Sequence, residues 1–166
     1  MTSIESAYAV LTKYTGLWED MEGIANQQTN YEDILLVADQ ISELKKFLIL
    51  KTLARDTEDN ILSASKTISS MWQVLVSFTR VYPKLCHSLL PVDVEVRLIH
   101  CKPQMVCEAN RDAYANRYVT TYDMYKEVFG QYPPRAIWPR PIKSGSATLS
   151  ASQTSTKEIV DDLTNV

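Results

Sequence analysis

Helix breakers are scarce in this chain. Only four glycines occur among its 166 residues, and none of the seven prolines precedes Pro83. Glycine and proline carry the largest helix penalties, so the first half of the chain reads as helical. Cysteine and histidine are also few, at three and two. An odd cysteine count without framework spacing argues against a disulfide scaffold and suits a reducing, cytoplasmic setting. No run of about 18 apolar residues occurs, so no membrane span is expected. The opening residues MTSIESAYAV lack a basic region and include Glu5, which argues against a signal peptide. A net charge of −3 offers none of the basic surface that generic nucleic-acid binding needs, so no nucleic-acid partner is expected. Phosphate-loop, dinucleotide, nucleophile-elbow and HExxH signatures are absent, so neither a catalytic constellation nor a cofactor is expected.

What is present is a series of apolar stripes, within a chain that is 45% hydrophobic. Ile4, Tyr8, Leu11, Tyr14, Trp18 and Met21 recur at steps of three and four, which predicts a helix from Ser3 to about Gln27, with Gly16 as a kink or break. Asn30 has the features of an N-cap, with Glu32 and Asp33 in the first turn. Ile34, Val37, Ile41, Leu44 and Leu48, widened by Leu35, Phe47 and Leu50, predict a well-buried helix that ends near Asp56 to Asn60. Ser65 caps the next helix, whose stripe is Ile68, Met71, Trp72, Leu75, Phe78 and Tyr82. Pro83 kinks it or starts a new helix that Pro91 stops. Val92, Val94, Val96 and Leu98 alternate with Asp93, Glu95 and Arg97, a strand pattern over 92–100 with no evident partner. A final helix from about Val106 to Phe129 carries Tyr114, Tyr118, Tyr122 and Tyr125, with Gly130 placed as its C′ residue. Prolines around Trp138 predict an extended strap pinned by that indole. The expected fold is therefore mainly α: a compact bundle of four to five helices with one short β segment at about 92–100. Residues 1–142 are expected to form a single helical domain, and the Ser/Thr-rich 143–166 a flexible tail.

Both histidines and all three cysteines lie between Cys86 and Cys107. Thiolate and imidazole are preferred zinc ligands, but no CxxC or HxxxH pair occurs, so no metal ligand is assigned. His100 shares strand parity with the valines and reads either as a half-buried, hydrogen-bonded histidine or as a general base at a pocket rim. The tyrosine row suits a packed core or a subunit interface better than base stacking. Thr164-Asn165-Val166 fits a carboxylate ending of the kind that adds to a PDZ-type groove.

Many residues fall in a recognisable order: Phe47-Leu48, Leu50-Lys51, Leu62-Ser63-Ala64-Ser65, Ile68, Met71-Trp72, Thr79-Arg80, Tyr82, Cys86, Ile99-His100, Pro103, Tyr118, Tyr122, Tyr125, Phe129-Gly130, Pro133-Pro134 and Trp138-Pro139. Over residues 40 to 140 this resembles the glycine-rich-domain-containing-protein-like family and its uncharacterised relatives. The chain departs from that pattern at Gln73, where the family carries histidine, at Ala64 within the LSPS segment, and at Cys101, the second of a histidine pair. The resemblance implies a shared compact fold and an accessory interaction role more than a shared chemistry.

The candidate binding residues are Trp72, Gln73, Tyr82, Cys86, His100 and Trp138. The expected function is a non-enzymatic protein-interaction or scaffold module with a protein partner or a second copy of itself. The alternative is a metal-assisted hydrolase or zinc-stabilised domain built on the His/Cys cluster at 86–107, and a third reading is a small-ligand pocket under Trp72 and the tyrosines.

Overall fold

The computed structural model describes residues 3–28, 37–90 and 108–141. Among these residues the chain is mainly α-helical: α1 (Ile4–Thr12), α2 (Thr15–Gln28), α3 (Val37–Ala54), α4 (Lys66–Ser77), α5 (Tyr82–Leu89) and α6 (Glu108–Phe129). Six helices among the described residues exceed the four to five expected. The first apolar stripe breaks at Lys13 and Tyr14, ahead of Gly16. Two side chains hold the break. Trp18 Nε1 donates to the Leu11 carbonyl at 2.8 Å, an acceptor it shares with the Tyr14 amide at 3.2 Å. Tyr14 Oη pairs with Ser88 Oγ at 3.0 Å, tying the corner to α5. The expected β segment at 92–100, the Asn30 cap and the tail at 143–166 lie outside the described residues.

Helix α3 is the central element. It packs on α1, α2, α4 and α6, while α5 closes against α1 and α4. Its C-terminal half is apolar nearly all round, with Phe47, Leu48, Ile49 and Leu50 fully buried, as a helix enclosed on every side requires. Local chemistry sets the other boundaries. Ser65 Oγ accepts from the Ile68 amide, the cap that starts α4. Pro83 stands in the first turn of α5, where its missing N–H costs nothing. Gly130 takes φ +75° just past α6, the left-handed C′ conformation that glycine adopts without a Cβ penalty.

The tyrosine row of α6 is a core face. Tyr118, Tyr122 and Tyr125 are buried, and three hydroxyls reach inward: Tyr114 to the Ala64 carbonyl, Tyr118 to the Pro139 carbonyl and Tyr125 to Glu43. The Leu62–Ser65 loop is docked on the same helix. The Ser63 amide donates to Thr121 Oγ1 at 2.9 Å, and Arg117 Nε donates to Ser63 Oγ at 3.0 Å. Among the described residues no helix is long and apolar enough to cross a membrane.

Candidate functional site

Three polar clusters are built into this framework. The first contains half of the expected site. Trp72 Nε1 donates to Tyr82 Oη at 2.9 Å, and the Tyr82 hydroxyl is hydrogen-bonded to Cys86. All three residues are buried. Burial, with Cys86 beside it, pushes the Tyr82 hydroxyl well above the ordinary tyrosine range, so it stays neutral. This is a hydrogen-bonded cluster within the core. Gln73 follows Trp72 on α4 but is exposed, because adjacent helical residues point about 100° apart. His100 lies outside the described residues. Replacing Tyr82 by Phe removes the buried hydroxyl that accepts from Trp72 Nε1 and is hydrogen-bonded to Cys86. The expected cost is about 1–3 kcal/mol, read as a lower midpoint in urea unfolding with an unchanged slope.

The second cluster surrounds Lys51, which is completely buried. Its ammonium sits 3.1 Å from Asp56 Oδ2 and 2.6 Å from Asp59 Oδ1, and 5.0 Å from the centre of the Trp72 ring. Asp56 organises the loop after α3. It accepts from the amides of Asn60 and Leu62, each at 2.9 Å, and of Ile61 at 3.2 Å. Burial would raise the Asp56 pKa, but the Leu62 amide, Lys51 and the Asn60 amide outweigh it and hold the carboxyl below its ordinary range. The loop turns through left-handed conformations at Arg55, φ 52°, and Asp59, φ 56°.

The third cluster joins α3, α6 and the strap that follows Gly130. Glu43 is 4% exposed yet fully partnered. Lys46 Nζ reaches its Oε1 at 2.7 Å, Tyr125 Oη donates to the same oxygen at 3.0 Å, and Trp138 Nε1 donates to Oε2 at 3.0 Å. Lys46 also donates to Tyr125 Oη at 2.9 Å. Burial opposes the charge on Lys46, but its bonds to Glu43 and Tyr125 win, and its pKa is raised. Burial and the Glu43 carboxylate push the Tyr125 hydroxyl up to about 12, against the opposing pull of Lys46. At neutral pH Lys46 is therefore an ammonium and Tyr125 a neutral phenol.

This third cluster opens onto a cavity of about 520 Å³. Asp39, Ser42, Glu43 and Lys46 form one wall, spaced along a single face of α3. Tyr125 and the strap residues Gln131, Tyr132, Pro134, Ala136 and Ile137 contribute the rest. Phe47 links this site to the first cluster, with its ring 5.5 Å from Trp72 and 5.6 Å from Trp138. Of the expected residues, the structure thus gathers Trp72, Tyr82 and Cys86, and sets Trp138 across Phe47 from them.

Glu43, Lys46, Lys51 and Asp56 were not anticipated. A signal for two of them is present in the sequence. Lys51 stands in register with Leu44 and Leu48, and Glu43 with Phe47 and Leu50, so each charge falls within apolar surface and demands a partner. Among the described residues no three His, Cys, Asp or Glu side chains form a metal-ligating group. His100, Cys101 and Cys107, on which the zinc reading depends, lie outside those residues. Comparison with protein-family profiles, curated proteins and solved structures finds no match for the chain.

Proposed function

We propose that the chain is a non-enzymatic protein-interaction or scaffold module acting through a protein partner or a second copy of itself. One observation carries this reading. Among the described residues Lys51 and Asp56 are held by short internal partners and do not line the cavity, Glu43 on the cavity wall is taken up by Lys46, Tyr125 and Trp138, and the Tyr82–Cys86 pair is sealed in the core. A general acid, base or nucleophile needs both a substrate-facing atom and an adjustable proton. These groups are engaged in holding helices and loops together. In this reading the alternating run at 92–100 supplies a strand that pairs with the partner or second copy, and the module works in the reducing cytoplasm. The family resemblance supports the same accessory role by association.

Light scattering across a concentration series, combined with affinity capture from the cells that express the chain, tests the proposal. A concentration-dependent dimer, or a partner that binds the purified chain stoichiometrically, is expected. A strict monomer that forms no such complex would overturn it.

A further inference from the structure

We infer that the cavity between α3 and the strap is a binding site for a neutral, polyhydroxylated ligand of mono- or disaccharide size. This goes beyond the interaction reading and stands independently of it.

The cavity has polar groups to offer. The side chains of Asp39, Ser42 and Gln131 bond no other described residue, while Lys46 uses two bonds on Glu43 and Tyr125 and retains a third N–H. An acceptor, a hydroxyl and a donor thus follow one another along α3 from residue 39 to 46, a span of about 10 Å. No charge of one sign dominates the wall: Glu43 and Lys46 are paired with each other at 2.7 Å, Asp39 stands beside them, and Lys126 lies outside the lining, 4.5 Å from the centre of the Tyr132 ring. A lone phosphate would meet the carboxylates of Asp39 and Glu43, and a lone guanidinium would meet the Lys46 ammonium. A ligand carrying many neutral donors and acceptors suits this arrangement better than either.

The second feature is a fixed aromatic face. Tyr132 is 52% exposed, yet its ring stacks on Tyr122 at 5.4 Å and 29° and its hydroxyl accepts from Lys126. An exposed ring held in this way offers a flat surface for the C–H face of a pyranose, while Pro134 and Ile137 supply apolar wall beside it. A volume of about 520 Å³ lies within the usual range of small-ligand sites.

Saturation-transfer NMR on the full chain tests this, using neutral mono- and disaccharides including maltose and cellobiose, with inorganic phosphate and arginine as charged probes. At least one neutral saccharide should bind saturably. Tyr132→Ala should weaken that binding about fivefold to tenfold with unchanged melting, since the side chain is largely outside the core. Asp39→Asn and Gln131→Ala should each weaken it as well. Absence of saccharide binding, binding indifferent to Tyr132→Ala, or stronger Tyr132-dependent binding of phosphate or arginine would each overturn the assignment.

Discussion

Lys51→Met should lower stability by about 3–5 kcal/mol, the usual penalty for removing one partner of a buried ion pair. For a chain of this length that corresponds to a fall in Tm of roughly 10 °C. Methionine nearly matches the volume of lysine, so lost packing contributes little. The penalty arises from what remains: Asp56, fully buried, and Asp59, nearly so, lose the ammonium at 3.1 and 2.6 Å. The Trp72 ring loses its cation at the same time. The measurement is urea unfolding of the wild-type and Lys51→Met chains, followed by circular dichroism.

The same cluster sets a pH dependence. The folded-state pKa of Asp56 lies below its ordinary value of 3.8. Its contribution to stability is therefore complete above about pH 4 and is lost as pH falls through the folded value. Removing Lys51 takes away one cause of that depression, so Lys51→Met should move the acid transition to higher pH. An acid midpoint unchanged by the substitution would show that the amides of Asn60, Ile61 and Leu62 alone hold the carboxylate.

Trp138→Ala is the second large effect, expected at about 3–5 kcal/mol. The indole is 1% exposed and packs on Phe47, Tyr118 and Tyr125 at centroid distances of 5.6, 6.1 and 6.4 Å. Truncation leaves a cavity and strips Glu43 Oε2 of its Trp138 donor. Trp138→Phe separates the two causes: it keeps most of the ring and loses only the N–H, at about 1–3 kcal/mol. Hydrogen exchange supplies a local readout. The Ile137 and Trp138 amides donate to the Pro134 carbonyl at 3.1 and 2.8 Å, and both should lose protection in Trp138→Ala. Retained protection with unchanged stability would mean that the strap is held by its prolines rather than by its indole.

Local chemistry explains which features were legible in the sequence. Ser65, Pro83 and Gly130 act on the backbone within one helical turn, so their roles could be read without knowing the fold. The apolar stripes likewise placed the inner faces of α3 and α4. The break at Lys13 and Tyr14 was displaced from the expected Gly16 because Trp18 and Ser88 stabilise it, and Ser88 is 74 residues from Tyr14 in sequence. Gln73 is singled out because the family pattern has histidine there, yet helical geometry sends it and Trp72 to different environments, exposed and buried. The partners of Glu43 were hidden for the same reason as those of Tyr14: Tyr125 and Trp138 lie 82 and 95 residues away. What the sequence does disclose is the anomaly itself, a glutamate and a lysine set within the apolar surface of the most buried helix.

The measurement closest to the central claim is cross-linking mass spectrometry on the intact chain in the cells that express it. If the buried charges serve the scaffold and the surface serves a partner, a reproducible cross-link should join this chain to one partner or to a second copy. The same link should form with the purified components and persist in Tyr82→Phe, which alters only the closed core cluster. A chain that forms no such link, and whose purified form turns over a substrate in a manner abolished by Tyr82→Phe at a temperature where that variant remains folded, would contradict the account.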